Sequence, residues 1–512
     1  MPGEKEVPPR GPTRNPAGLR DVNGELGNRR FVGNALWLFG AELVSKLASF
    51  VLVVIVARGL GVRDYGYFVF ALAFIPLFLM FGQGCIDSIM VRDLSTRRED
   101  LERLFVNGLA ARAALAAVGL VVAIVLSPFL VGESGPFLAV VIIGAALFLD
   151  ELSTYLRSVF QAFEQMRYNA IILTVNRVLS TLLAFVVLAA GGGLVAVCAT
   201  YFLGSLGALV WGWIVLRRVF PPTPFSSFRG DALRQVVRRG LPLGLASAFS
   251  MGAFRLDATL LQAWKGPVAG GMYGIAYRFF EPALFLGWSI SAAALPRMTR
   301  EHVRGERPKT LELSITLLLA VYLPLALGAP FAARFVVDKL FSDRYLPAVN
   351  AVTWLVGASL FYSLAHLGRV AAISLGQRGR ITLISATTLV GNLVANVFVI
   401  PRYSFTGAAV VTFFTEVAEA ALLGLLLVRN ERRLRFSRLA FVPIIAGLSM
   451  LFVLVVTGQR GDDAVLVGAP VYVVSLLAAG WVIDVDTMRA FARLLRRQPP
   501  EPSLAHSALP DE

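Results

Sequence analysis

Residues 50–80 read FVLVVIVARGLGVRDYGYFVFALAFIPLFLM, two apolar stretches separated by a short link that carries Arg58, Arg63 and Asp64. A hydrocarbon core about 30 Å thick is crossed by roughly 20 apolar residues in an α-helix. Lipid offers no partners to backbone polar groups, so only helices and closed barrels cross it. These stretches are continuously apolar and not alternating, which excludes the pattern of a barrel strand. The segment therefore reads as a helical hairpin through a membrane.

The pattern extends in both directions. Fourteen apolar runs are expected to span, at 34–57, 66–90, 104–130, 136–162, 168–190, 194–216, 241–263, 270–295, 311–333, 347–371, 381–400, 407–428, 439–457 and 464–484. A chain of 512 residues would make about three soluble domains at roughly 150 residues each. Composition argues against that, because 56% of residues are hydrophobic and only 16% charged, with a mean hydropathy of +0.69. A soluble domain carries about 25% charged residues. The expected fold class is an all-α polytopic membrane protein.

A net charge of +15 would suit a nucleic-acid partner if it formed one patch, but the basic residues lie in short connections between runs. Counted in alternate connections, one side of the membrane collects 33 Lys and Arg and the other 8, leaving 48 − 33 − 8 = 7 inside spans. Such an excess marks the cytoplasmic side. Both termini are thus expected in the cytoplasm and the chain in the cytoplasmic (inner) membrane. Residues 1–30 and 485–512 are expected to be cytoplasmic tails, the first disordered. The longest connections, 217–240 and 334–346, leave no room for a catalytic domain, and no GxxxxGK[ST] loop is present to bind ATP. No enzymatic activity is expected. Cys85 and Cys198 both lie in apolar runs, and His302, His366 and His506 are scattered, so no disulfide, metal site or cofactor is expected.

An internal repeat organises the runs. At an offset of 205, residues 61–92 align with 266–297 without a gap, matching Gly61 with Gly266, Gly66 with Gly271, Phe74 with Phe279, Gly82 with Gly287 and Arg92 with Arg297. A looser match relates Gln165–Met166–Arg167 to Gln377–Arg378–Gly379–Arg380, each followed by a run and a glycine-containing external turn, at Gly191–Gly193 and at Gly407. Two pseudo-symmetric six-helix lobes are expected. Residues 31–218 form the first, 219–240 a cytoplasmic linker, 241–430 the second, and 431–484 two appended spans.

The stretches ARGLGVRDYG at 57–66, QAFEQMRY at 161–168 and RLD at 255–257 resemble the polysaccharide-biosynthesis, Wzx-like flippases of the multidrug/oligosaccharidyl-lipid/polysaccharide exporter superfamily. The resemblance implies a V-shaped, two-lobed bundle. It also implies the translocation of undecaprenyl-diphosphate-linked oligosaccharide, such as an O-antigen, capsule or exopolysaccharide repeat unit. A membrane lipid partner, H⁺ or Na⁺, and other glycan-assembly machinery belong to the same expectation. A cation-coupled multidrug exporter is the alternative within that superfamily, and a membrane glycan polymerase or glycosyltransferase a more distant one.

A charge at the bilayer centre costs at least about 2.5–3.5 kcal/mol, so it faces protein or water. The intramembrane cations are Lys46, Arg112, Arg157, Arg177, Arg255, Arg278 and Arg369. Arg157 and Arg369 lie near cytoplasmic ends, where long side chains can snorkel. Arg255 and Arg177, followed by Lys46, Arg278 and Arg112, are the candidates for an anionic diphosphate headgroup, because a guanidinium fork matches phosphate oxygens. Internal pairing competes with that reading for Glu42 with Lys46 and for Arg278 with Glu281, which share helix faces. Glu416 and Glu419, three apart, and Asp257 are candidates for a coupling ion. For the glutamates, and for the adjacent Asp150 and Glu151, pairing with Arg157 or with a cation of the other lobe is the competing reading.

Overall fold

A computed structural model describes residues 17–79, 101–131, 134–220, 230–431 and 438–483. The described residues form α1 (Ala17–Leu60), α2 (Val62–Phe74), α3 (Pro76–Leu79), α4 (Leu101–Val131), α5 (Ser134–Ala162), α6 (Met166–Ala189), α7 (Leu194–Val219), α8 (Gly230–Val303), α9 (Lys309–Phe341), α10 (Val349–Ser374), α11 (Arg378–Asn430), α12 (Phe441–Thr457) and α13 (Asp462–Ile483). No strand occurs among them. Eleven of the helical segments are long and apolar enough to cross a membrane, and the 17-residue α12 is a shorter apolar helix. Two of the eleven, in α8 and α11, are helices broken inside, at Gly266 and Ser404, and the sequence places two runs on each. The chain is an all-α, multi-pass membrane protein.

Several boundaries differ from the sequence reading. Helix α1 begins at Ala17, so residues 17–30 are helical where a disordered tail was expected; once a long apolar helix is nucleated, each added residue gains a hydrogen bond. Helix also occupies 230–240 of the expected linker. The turn expected at Gly407 lies instead at Ser404, with φ 52°, while Gly407 is buried within the helix. Residues 1–16, Cys85, Arg92 and the tail 485–512 lie outside the described residues.

Why these helices pack is visible on α4. Val118, Val121, Val122 and Val125 are exposed at helical spacing, forming a large apolar stripe that suits lipid. On the other side Arg112 and Ala116 are fully buried, and Gly119 lies so close to Phe78 that a Cβ would sit 2.2 Å from its carbonyl oxygen. Small residues inward and large apolar residues outward is the arrangement that a lipid solvent favours.

The chain folds as two compact units, one of Met1–Ile55, Ile75–Pro128 and Phe137–Met251, the other of Val56–Phe74, Phe129–Pro136 and Gly252–Glu512. In the first, α6 packs along α7. In the second, α9, α10 and α11 pack in sequence, and α12 and α13 pair with each other and against α9. The Tyr472 hydroxyl donates to the carbonyl of Ala320 at 2.7 Å and Gly461 N–H to that of Phe331 at 2.9 Å, which ties the last two helices to α9.

The repeat is written in the backbone of the second unit. Gly61 and Gly266 have φ of 78° and 77°, and Gly266 has ψ of −177°, a conformation essentially reserved for glycine. A Cβ on Gly66 would lie 1.8 Å from the carbonyl oxygen of Pro267, and one on Gly271 would lie 2.6 Å from that of Val62. Since 62 + 205 = 267 and 66 + 205 = 271, the two contacts are equivalent and reciprocal. A Cβ on Gly274 would meet Val69 at 2.8 Å, and 69 + 205 = 274, so this pair matches itself. The turn at 57–61 is fixed further by Arg58, which donates to the carbonyl of Lys339, and by the Tyr345 hydroxyl, which donates to that of Ala57 at 2.9 Å.

Gly66→Ala drives a methyl group into a backbone carbonyl and is expected to destabilise the protein by about 1–3 kcal/mol, the usual cost of overpacking. Gly193, with open space around it and φ of −90°, serves as control, and Gly193→Ala should stay within about 0.5 kcal/mol of wild type. Unfolding of both variants in detergent checks this.

Candidate functional site

In the first unit the polar residues form two separate groups. Asp150 and Glu151 are adjacent, but successive helix positions point about 100° apart, with 3.6 residues per turn. Glu151 turns toward α4 and meets Arg112 at 2.7 Å, with both side chains buried. Asp150 turns toward α6, where the Asn176 amide donates to it at 2.6 Å. The cation that Glu151 meets is Arg112, on α4 of the same unit, where Arg157 or a cation of the other lobe was expected. Arg112 is fully buried against a carboxylate, and so acts as an internal counter-ion instead of a group open to a headgroup.

Arg177 is half-buried. Its guanidinium donates to the Tyr201 hydroxyl and lies 5.4 Å from the centre of that ring, with Asp150 and Glu42 in electrostatic reach. Thr181, one turn on, donates to the carbonyls of Ala48 at 3.0 Å and Arg177 at 2.7 Å, which ties α6 to α1. Lys46 on α1 is exposed.

The second unit holds the larger group. Arg255 donates to the carbonyl of Leu72 at 3.2 Å and lies 3.7 Å from Glu281. Arg278 lies 3.9 Å from the same carboxylate, as its i,i+3 spacing suggested. Two guanidinium groups thus gather at one carboxylate, and both side chains keep about a quarter of their surface exposed, 28% and 23%. Asp257, two residues from Arg255, points elsewhere. It is buried and accepts from the hydroxyls of Tyr273 at 2.5 Å and Tyr277 at 2.9 Å and from the backbone N–H of Ala258 at 2.7 Å. Thr412 of α11 is 3.5 Å from Tyr273.

Glu419 accepts from Arg369 at 2.5 Å and from Ser385 at 2.8 Å. The guanidinium expected to snorkel is therefore turned inward, because a carboxylate on the neighbouring helix offers more than the distant headgroup region. Arg369 also lies 5.5 Å from the centre of the Tyr362 ring. Glu416, one turn before Glu419, keeps its buried Oε2 without a hydrogen-bond partner. Among the described residues no group of three His, Cys, Asp or Glu could hold a metal ion.

Arg255 with Arg278, and Glu416 with Glu419, are thus brought together; Arg177, Lys46 and Arg112 are placed on separate helices of the first unit. Tyr201, Tyr273, Tyr277 and Arg369 are the partners that sequence reasoning missed. A tyrosine pair four apart on one face, equally far from the Gly266 turn as Asp257 to within two residues, was the signal available for the second and third.

The fold is similar to that of "Lipid II flippase MurJ, inward closed conformation", with a TM-score of 0.73 and 13% identity, covering 89% of this chain and 100% of the other. It is also similar to an inward-facing multidrug resistance MATE family transporter of the MOP superfamily, with a TM-score of 0.59 and 14% identity over 76% of this chain and 95% of that one. In sequence, residues 31–302 match the family described as "Polysaccharide biosynthesis protein", and the chain belongs to that family. It is 22% identical over 407 residues to the "Uncharacterized membrane protein MJ1068" of Methanocaldococcus jannaschii, covering 74% of this chain and 80% of that protein.

Removing one member of a buried ion pair strands the other and costs about 3–5 kcal/mol. Arg112→Leu is accordingly expected to destabilise strongly, and Arg112→Leu combined with Glu151→Leu to recover most of the loss. A double-mutant cycle of unfolding free energies measures the difference.

Proposed function

We propose that this protein translocates a polyprenyl-diphosphate-linked oligosaccharide across the cytoplasmic membrane by alternating access, with both termini in the cytoplasm. Undecaprenyl diphosphate is the carrier of choice and an O-antigen, capsule or exopolysaccharide repeat unit the cargo. The physical task is to shelter a bulky polar head from hydrocarbon while the lipid tail stays in the bilayer. Family membership supports the cargo class. The single observation that carries the headgroup assignment is the partly exposed pair Arg255 and Arg278 around Glu281, which can take diphosphate oxygens bidentately.

Arg255 is the principal ligand in this reading and Arg278 its neighbour, while Arg177 and Lys46 are the headgroup candidates of the first unit. Arg112 is left out, because its guanidinium is buried against Glu151. Asp257, Glu416 and Glu419 are the groups that would couple transport to H⁺ or Na⁺. Buried carboxylates also suit a cation-coupled multidrug exporter, and a carboxylate-lined route for organic cations is the second reading. It is less favoured, since Arg255, Arg278 and Arg369 keep part of their side-chain surface exposed, and those positive charges repel an organic cation. The protein acts here as a carrier and forms no covalent intermediate.

Arg255→Ala removes a charge-assisted contact worth about 1.5–3 kcal/mol and should lower transport roughly ten- to a hundredfold. Arg177→Ala should also lower it, and Arg112→Lys with Glu151 intact should change it little. Export of a lipid-linked glycan in cells, normalised to inserted protein, is the measurement. Full export by both Arg255→Ala and Arg177→Ala removes the headgroup assignment.

A further inference from the structure

One cluster in the second unit is not used by the headgroup assignment. Trp288 of α8 is 40% exposed. Its indole N–H points to the Tyr362 hydroxyl of α10 at 3.4 Å, and its ring lies 6.4 Å from those of Tyr362 and His366. Tyr362 and His366, one turn apart, hold their rings within 4° of parallel. Arg369 follows on the same helix, over the Tyr362 ring, and its side chain is 22% exposed. Glu416 and Glu419 of α11 lie in electrostatic reach of Tyr362, and the Oε2 of Glu416 is buried with no hydrogen-bond partner.

Hydrocarbon does not suit this combination. A lipid tail would suit the indole, but it leaves the exposed part of the Arg369 guanidinium unsatisfied, at a cost. The occupant that meets every demand has one apolar face and a rim of hydroxyl donors and acceptors. A pyranose ring is such a molecule. Its C–H-rich face packs on aromatic rings, whose faces carry negative charge density. Its hydroxyls accept from guanidinium and imidazole N–H groups. We infer that Trp288, Tyr362 and His366, with Arg369 at their edge, form a shelf for a sugar ring of the transported glycan.

The inference rests on the flippase reading and deepens it. The shelf would read the sugar next to the lipid while Arg255 and Arg278 hold the diphosphate. Aromatic packing tolerates many hexopyranoses, so the shelf supplies affinity for sugar as a class, and the polar rim discriminates among them.

The test uses the full chain in nanodiscs and two probes, farnesyl diphosphate and farnesyl diphosphate bearing one galactosyl residue. Wild type is expected to bind the galactosyl probe about tenfold more tightly, the factor expected of one good aromatic contact. Trp288→Ala should erase that difference without weakening farnesyl diphosphate, and Trp288→Phe should restore most of it. Because Trp288 is exposed, the unfolding midpoint of both variants should match wild type. Equal binding of the two probes by wild type, or a preference that survives in Trp288→Ala, overturns the shelf and leaves the diphosphate assignment standing. Binding of neither probe overturns both.

Discussion

The cost of placing charge in hydrocarbon governs this molecule. Each ionised group inside a span must find a counter-charge, a polar partner or an aqueous face, and the structure shows all three solutions. Arg112 with Glu151 is a closed buried pair. Asp257 is hydrogen-bonded by hydroxyl and amide donors instead of paired with a cation. Arg255 and Arg278 share Glu281 and stay partly exposed. The first two solutions hold helices together, and the third leaves cations able to meet a ligand. Sorting the charges by solution, and not by depth, separates structural pairs from candidate site residues.

Close helix approach is the second organising feature, and it follows from the same solvent. Lipid does not drive apolar surfaces together, so helices associate through small residues that let backbones touch. Gly66, Gly271 and Gly274 do this for two helices that correspond under the internal repeat. The reciprocity of the contact means that one glycine pattern, present twice, forms a self-matching surface. The same segment, residues 56–74, belongs to the second compact unit, although it follows the first membrane run in the chain.

Much of this architecture was legible in the sequence, because span length, continuous hydrophobicity and glycine-marked turns are local properties. The match of Gly61 with Gly266 was readable as letters and recurs as equal backbone angles. The pairing of Arg278 with Glu281 was readable because three residues on a helix fix the geometry. Arg369 with Glu419 was not, since fifty residues and a helix-packing arrangement separate them. Depth along a span also misled for Arg112, because depth does not say which side of a helix faces protein. The turn at Ser404 escaped for a different reason. It lies three residues after Pro401, while the glycine three residues later drew attention by its type.

The most direct measurement asks whether position 255 faces water. A chain with Cys85 and Cys198 replaced by serine, and with Arg255→Cys as its single thiol, would be exposed in sealed membranes to a water-soluble, membrane-impermeant maleimide. Labelling by the impermeant reagent is the predicted result. Labelling only by a lipid-soluble maleimide would place position 255 against lipid and contradict the account.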